Sequence, residues 1–344
     1  MSAPVPSQQP SPLLFFNAAF AYRSSAAIKA AVELDLFTAI GEHGDAGATS
    51  AQIAAHTSAA ERGVRILCDF LAVDGFLSKK NARYLLTQDS AVFLDRRSPA
   101  YMGSILGFLH SPHVRAHYES LADAVRKGGT ATSADGVLEP HHPAWVDFAR
   151  AMAPMMALPA IRIAEILGAA NGGPWKVLDI AAGHGTFGIT LARQNPQAEI
   201  FAVDWPNVLA LAQENARAAG VDGRYRPLPG SAFDVDFGTG FDCVLLTNFL
   251  HHFDATSCET LLGKIHAALK PDGQVVTLEF VPNDDRITPR EAAMFSLTML
   301  ASTPAGDAYT FAEYDRMFRA AGFASSEIHP LPPTPQSLIV SHIS

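Results

Sequence analysis

Apolar residues in the segment 26–40 (AAIKAAVELDLFTAI) recur at helical spacing, with Ile28, Ala31, Val32, Leu36 and Ile40 on one face. The glycine-rich GEHGDAGA that follows closes this helix. A hydroxyl in Thr49-Ser50-Ala51-Gln52 can cap the free amides of a second helix. Residues 61–73 form a third, with Val64, Leu67, Cys68 and Leu71 facing inward. Next come Gly75-Phe76-Leu77, a lysine-rich turn and Tyr84-Leu85-Leu86-Thr87. Three helices and a small β-hairpin make residues 1–100 a helical, winged-helix-like region. Residues 101–170 read as a helical middle, closed by the loop Asn171-Gly172-Gly173-Pro174.

The pattern changes over residues 171–344. Strands at 175–180, 200–204, 243–246 and 274–280 alternate with helices starting at 188, 208 and 257, the last of them ended by Lys270-Pro271-Asp272-Gly273. Alternation of this kind predicts an α/β domain whose parallel sheet is covered on both faces, Rossmann-like and doubly wound.

At 344 residues the chain suits two domains, and 48% hydrophobic with 17% charged residues supplies ample core. A net charge of −9 argues against nucleic acid as a partner. Cys68, Cys243 and Cys258 are scattered, with no metal spacing, and read as reduced thiols. His110, His113, His141 and His142 likewise lack a fixed ligand spacing, so no metal is expected. The opening MSAPVPSQQPSP has neither a basic region nor an apolar core and reads as a disordered leader, not a signal peptide. No run of ~18 apolar residues is present, so a cytoplasmic protein with no membrane span is expected.

Candidate chemistry begins at Asp179-Ile180-Ala181-Ala182-Gly183-His184-Gly185-Thr186, between the first strand of the C-terminal region and its helix. Glycines there let backbone amides approach a ligand closely. The turn is shared by folds that bind NAD, FAD and S-adenosylmethionine, and Gly188 even completes GxGxxG, so the pattern alone does not exclude a nicotinamide cofactor. Three features favour S-adenosylmethionine. Asp179 precedes the glycines on the strand, where it can orient the loop and reach the methionine ammonium. Asp204 ends the next strand about 20 residues after the glycines, where a carboxylate can accept both ribose hydroxyls. Leu269-Lys270-Pro271-Asp272-Gly273-Gln274-Val275 is similar to the late helix–turn–strand of methyltransferases.

The whole chain resembles the plant-type small-molecule O-methyltransferases, a family that includes caffeic acid and acetylserotonin O-methyltransferases and bacterial natural-product enzymes. Asp204-Trp205-Pro206-Asn207-Val208 resembles the family's Asp-Leu-Pro-x-Val, Asn248-Phe249-Leu250-His251-His252-Phe253-Asp254 its Leu-His-Asp-Trp segment, and Gly306-Asp307-Ala308-Tyr309-Thr310 its Gly-Gly-x-Glu-Arg-Thr. The resemblance implies an N-terminal dimerisation domain, hence a homodimer, and a hydroxylated aromatic or polyketide-like small molecule as acceptor. Apolar side chains of the N-terminal helices, Phe15, Phe16, Phe20, Ile28 and Val32 among them, are expected to form the interface. The resemblance also implies a cofactor site of Asp179, Gly183, Gly185, Asp204, Trp205, Ser231, Ala232, Phe233 and Asn248. The family's Gly-Asp-Met-Phe is here Gly230-Ser231-Ala232-Phe233, which leaves Ser231 or Asp234 to meet the adenine amine.

Methyl transfer needs an aligned donor and, for a weakly acidic hydroxyl, a base. The resemblance makes His251 that base and Glu279 the carboxylate that orients it. Ala308 replaces the family's second glutamate, and Asp307 beside it is the candidate substitute. Trp145, Phe148, Met152, Met155 and Met156 are either helix core or the wall of the acceptor pocket. His184 is expected to pack locally and His252 to be a surface residue or an orienting neighbour of His251. Three rivals stand beside this reading. They are a relative that keeps the cofactor for decarboxylation or hydroxylation, a winged-helix DNA-binding regulator, and an NAD oxidoreductase. The segment after Thr49 lacks the basic residues the second would need.

Overall fold

The computed structural model describes residues 9–133 and 144–344; the first eight residues of the leader, and His141 and His142, lie outside them. The chain divides into two compact units, residues 1–110 and 111–344.

The first unit carries α1 (Leu13–Glu33), α2 (Leu36–Gly41), β1 (Ala48–Thr49), α3 (Ser50–Thr57), α4 (Glu61–Val73), β2 (Leu77–Lys80), β3 (Arg83–Leu86), α5 (Gln88–Phe93) and α6 (Ile105–Leu109). Its small antiparallel sheet runs β1-β3-β2. The helix expected at 26–40 is in fact two. Asp35 breaks it by adopting a left-handed conformation (φ 54°), held by Thr38 Oγ1 and Arg96 Nε donating to its Oδ1. Thr49 caps α3 in a full capping box, its Oγ1 accepting from Gln52 N while Gln52 Oε1 accepts from Thr49 N. Ile28 and Val32 do not join the exposed stripe expected of them, because they pack into the unit's own core with Leu36, Ile40, Ile53 and Leu71. The exposed apolar residues lie earlier on α1: Leu13, Leu14, Phe15, Phe16, Phe20 and Tyr22.

The second unit carries α7 (Pro112–Glu119), α8 (Leu121–Lys127), α9 (Ala144–Ile166), β4 (Lys176–Ile180), α10 (Thr186–Gln194), β5 (Glu199–Asp204), α11 (Pro206–Ala218), β6 (Tyr225–Pro229), β7 (Phe241–Thr247), α12 (Ala255–Ala268), β8 (Leu269–Glu279), α13 (Arg290–Ser302), α14 (Phe311–Ala320), β9 (Ser325–Pro330) and β10 (Ser337–His342). These strands form a seven-stranded sheet in the order β6-β5-β4-β7-β8-β10-β9. The first five are parallel, and β10 runs antiparallel to both neighbours. Alternation along each strand feeds two cores. Val177, Ile200, Cys243, Leu245 and Val276 meet α9, α10 and α11, whereas Leu178, Ile180, Val203, Val244 and Leu246 meet α12 and α14. This is the α/β doubly wound sheet that the alternation predicts, with β6, β9 and β10 added at its edges. Their pattern is weak because each is an outer or antiparallel strand, and β6 carries prolines at Pro227 and Pro229.

The chain runs outward from β4 to β6 and then returns to β7 on the other side of β4. That reversal opens a crevice at the carboxyl ends of β4 and β7, where ligands bind in such sheets. Below the sheet's far end, Arg224 plugs the end of α10: its guanidinium donates to the carbonyls of Ala198 (2.7 Å), Ala192 (2.8 Å) and Asn195 (3.2 Å). Arg224→Met takes this donor from the carbonyls of Ala192 and Ala198, while Asn195 O keeps the amide of Ala198 (3.1 Å), and is expected to cost about 2 kcal/mol, seen as a melting temperature lowered by ~5 °C.

Candidate active site

Four consecutive strands, β5, β4, β7 and β8, deliver their carboxyl ends to one crevice, and each carries a polar side chain at its last or penultimate position. Asp179 on β4 is fully buried. Its Oδ2 accepts from Gly188 N at 3.1 Å, in the first turns of α10, and its Oδ1 has no hydrogen-bond partner among the described residues. A Cβ on Gly188 would lie 2.7 Å from both Asp179 Oδ2 and Ile200 Cγ2, so the third glycine of the GxGxxG pattern serves this packing and not a phosphate. Burial, opposed by the Gly188 amide and reinforced by Asp204, pushes the Asp179 carboxyl up to about 7.

The loop from 181 to 185 turns through left-handed conformations at Ala181, Gly183 and Gly185. At Gly185 a side chain is also excluded by bulk, because a Cβ would sit 2.9 Å from Tyr225 Oη. At Gly183 the added atom would meet only Ala181 O at 3.8 Å, so this face of the loop is open. Asp204, ending β5, clasps the loop: its Oδ2 accepts from Gly183 N (2.9 Å) and its Oδ1 from Trp205 N (2.7 Å). Burial raises its pKa to about 6, offset by those two amides. His184 turns back on the helix, with Nδ1 accepting from Thr186 N at 3.0 Å, and burial lowers its pKa to about 4, so it is neutral and structural.

Beyond β7 the chain forms a tight turn. Asn248 (φ 53°) places its amide between Gln336 Nε2, which donates to Oδ1 (2.6 Å), and Met156 Sδ, which accepts from Nδ2 (3.3 Å). Asn248 N continues the sheet by donating to Leu278 O (2.8 Å). His251 follows on a single 3₁₀ turn (residues 250–252) and is buried. Glu279, fully buried at the end of β8, holds this turn together. Its Oε2 lies 2.5 Å from His251 Nδ1, and its Oε1 accepts from Phe249 N (3.0 Å) and His251 N (3.4 Å). An ionised carboxylate only accepts, so Nδ1 is the donor of this contact. Phe295 of α13 meets the His251 ring edge-on at 4.9 Å and stacks on Phe280 at 3.9 Å.

His252 sits among Trp145, Phe249 and Phe253, and burial together with His251 holds it well below the ordinary histidine range. It is therefore a neutral neighbour of His251. Trp145 and Trp205 pack around Ala149, Val208 and Leu211, so α9 begins beside Asp204 and also reaches His252. Phe148 packs against Trp145 at 5.8 Å. Met155 joins the core beneath the sheet, Met152 is half-buried, and Met156 is the methionine that reaches Asn248. Of this patch on α9, Met155 and Met156 pack into the core, and Met156 also reaches Asn248.

The turn after β6 carries Ser231, Ala232 and Phe233. Ser231 Oγ accepts from Phe233 N (3.2 Å), Ala232 is buried, and Phe233 meets Phe253 edge-on at 5.0 Å. Asp307 is placed differently from expectation. Its Oδ2 takes Arg286 Nη1 at 3.0 Å in a solvent-facing cluster with Glu313, and its Oδ1 accepts from Ala308 N. This geometry does not put Asp307 on the imidazole, because the contact to Nδ1 belongs to Glu279. What the 306–309 segment does supply is close packing: a Cβ on Gly306 would lie 2.2 Å from His251 O, and Tyr309 Oη donates to Phe253 O at 2.7 Å. Gln336 and Phe295 carry no motif and were invisible in the sequence, and Tyr309 was seen only as part of the segment 306–310, with no role of its own. Among the described residues no cluster of three metal-ligating side chains occurs, and no helix is long and apolar enough to cross a membrane.

Comparison with known proteins agrees with this arrangement. An O-methyltransferase domain model matches residues 118–324, and an O-methyltransferase dimerisation domain model matches residues 16–96. A 3-hydroxy-5-methyl-1-naphthoate 3-O-methyltransferase of Streptomyces sahachiroi is 30% identical over 90% of this chain and 89% of its own. The tetracenomycin polyketide synthesis 8-O-methyl transferase of Streptomyces glaucescens is 27% identical over 88% of each. Among solved structures, a candidate O-methyltransferase from Nostoc punctiforme superposes with a TM-score of 0.93 at 54% identity, covering 97% of this chain and 99% of that one. The human N-acetylserotonin methyltransferase in complex with SAM shares the fold, with a TM-score of 0.81 at 22% identity over 98% of this chain and 99% of that one. With both domain models matched in chain order and a 30% identical relative aligned over 90% of the chain, the protein belongs to the O-methyltransferase family and is an S-adenosylmethionine-dependent enzyme.

Proposed function

We propose that the protein methylates a hydroxyl on an aromatic or polyketide-like small molecule, with His251 as general base and Glu279 as its orienting carboxylate. The observation that carries this reading is the buried contact of 2.5 Å between His251 Nδ1, on the turn after β7, and Glu279 Oε2, at the end of the adjacent parallel strand β8. The naphthoate and tetracenomycin relatives support the acceptor class.

The crevice residues fit S-adenosylmethionine. Asp179 Oδ1 is a buried acceptor suited to the ligand's ammonium, and the open side of Gly183 leaves room for it. Asp204 and Trp205 suit the ribose, Ser231, Ala232 and Phe233 the adenine, and Gly185 and Asn248 shape the loops between them. Trp145, Phe148, Met152 and Met156 line the acceptor side, with Met155 supporting from the core. The bound cofactor supplies an activated methyl group on a sulfonium. The protein aligns the acceptor, excludes water and moves one proton: His251 Nε2 takes it from the hydroxyl, and Glu279 stabilises the resulting imidazolium through Nδ1. Asp307 contributes by bracing the Gly306 turn against the His251 backbone through its pairing with Arg286.

His251→Ala is expected to lower turnover on a weakly acidic phenol by about 10²–10⁴-fold, with affinity for S-adenosylhomocysteine nearly unchanged. Glu279→Gln sets an NH₂ donor opposite Nδ1 and drives the ring proton to Nε2, so a loss of similar order is expected. Near-normal turnover of His251→Ala at neutral pH would remove His251 from the base role.

Cofactor affinity should depend on pH. Burial favours the neutral forms of Asp179 and Asp204, raised to about 7 and about 6, whereas the ligand's ammonium and ribose favour the carboxylates. Binding then releases protons, and affinity for S-adenosylhomocysteine should rise about tenfold or more between about pH 5 and about pH 8. Calorimetric titration at both pH values tests this, and a flat profile would show that neither acid meets the ligand.

The dimerisation-domain match and the exposed Phe15, Phe16 and Phe20 support a homodimer built on α1. Light scattering should give a dimer mass, and Phe16→Asp with Phe20→Asp should give a monomer.

A further inference from the structure

Lys264, on α12, does not extend into solvent. Its ammonium donates to the carbonyls of Ala232 (3.0 Å), Phe233 (2.9 Å) and Val235 (2.6 Å), all in the turn after β6. An ammonium has three N–H groups, and all three are spent on this one turn. Its Nζ also lies 4.2 Å from the centre of the Phe237 ring, which closes off the approach from that side. Burial lowers the lysine's pKa, and Asp234 and Asp236 push it back up.

The turn's other ties are short-range or end at its start. Ser231 O accepts from Asp234 N (3.0 Å) and Val235 N (2.9 Å), and Gly230 N donates to Asp204 O (2.9 Å). The lysine therefore fixes the turn to α12. That helix begins at Asp254, whose side chain caps it, directly after the turn that carries His251. With Lys264 in place, Phe233 is held edge-on to Phe253, which in turn meets Phe249 at 5.0 Å.

We infer that Lys264 is a positioning residue for the adenine half of the cofactor: it shapes the Ser231–Phe233 turn from behind without touching ligand or acceptor. The inference rests on the proposed placing of adenine against that turn. All three of its direct bonds end on this turn, so its loss is expected to lower cofactor affinity more than it slows the chemical step.

The test compares wild type, Lys264→Met, Lys264→Cys and Phe233→Ala by calorimetric titration with S-adenosylhomocysteine and by steady-state kinetics. Lys264→Met is expected to weaken S-adenosylhomocysteine by about tenfold while kcat at saturating cofactor and KM for the acceptor stay within about twofold of wild type. Alkylating Lys264→Cys with 2-bromoethylamine rebuilds an ammonium of nearly lysine length. It should restore most of the affinity, which repair of a misfolded protein would not do. The native Cys68, Cys243 and Cys258 are buried, so the reagent meets the introduced thiol. Wild-type affinity in Lys264→Met, a parallel loss in kcat and acceptor KM, or no recovery on alkylation would each overturn the inference. Phe233→Ala separates the two levels. If it binds S-adenosylhomocysteine normally, adenine does not rest on this turn and both readings fail. If it binds weakly while Lys264→Met binds normally, only the role of Lys264 fails.

Discussion

The carboxylate of Glu279 is the group around which the crevice is organised. A buried anion costs several kcal/mol unless it is met by donors, and here three meet it: the amides of Phe249 and His251 and the imidazole of His251. That requirement fixes the backbone and the side chain of the turn at once. The turn can lie only where its two amides face β8, and the imidazole can lie only where Nδ1 faces the same carboxylate. Other contacts complete the restraint on the carbonyl side, from Cys258 Sγ on Leu250 O and from Tyr309 Oη on Phe253 O. The parallel pairing of β7 with β8 is what brings donors and acceptor together, by setting Thr247 opposite Leu278.

At the other end of the crevice the acids have a double task. Asp204 clasps the glycine loop through Gly183 and starts α11 through Trp205, so the residue proposed to hold the ribose also holds the shape of the loop. Asp179 does the same for α10 through Gly188. The ligand contacts proposed for these acids are therefore coupled to the loop geometry they hold, and a substitution at either acid would change both.

The central architecture was legible in the sequence because it is written in periods. Buried parallel strands at β4, β5, β7 and β8 are continuous apolar runs, and the helices between them repeat at 3.6 residues. Asp179 and Asp204 could be located because each stands at or beside the end of such a run, whereas His251 and Glu279 were located through the resemblance carried by the segment 248–254. The edge strands were not legible. Neither was the break in the first helix, since Asp35 interrupts no apolar period and its left-handed turn is held by Arg96, 61 residues away. Asp307 was misplaced for a related reason. Proximity in sequence to Ala308 suggested a substitute carboxylate, but a one-residue shift turns the side chain outward to Arg286, while Ala308 itself is buried. Gln336 and Lys264 touch the site only through tertiary contacts and leave no local signal.

The position of β10 bears on how the chain is made. It lies between β8 and β9, and the Gln336 that orients Asn248 immediately precedes it. During synthesis, therefore, β8 keeps an unpaired edge until β10 has emerged, an invitation to the wrong strand partner in the interval. The same order of events delays completion of the crevice, because the amide of Asn248 is not locked until the last strand is inserted. A nascent chain can acquire the glycine loop and the histidine turn before β10, yet the Asn248 amide is fixed only when β10 closes the sheet beside it.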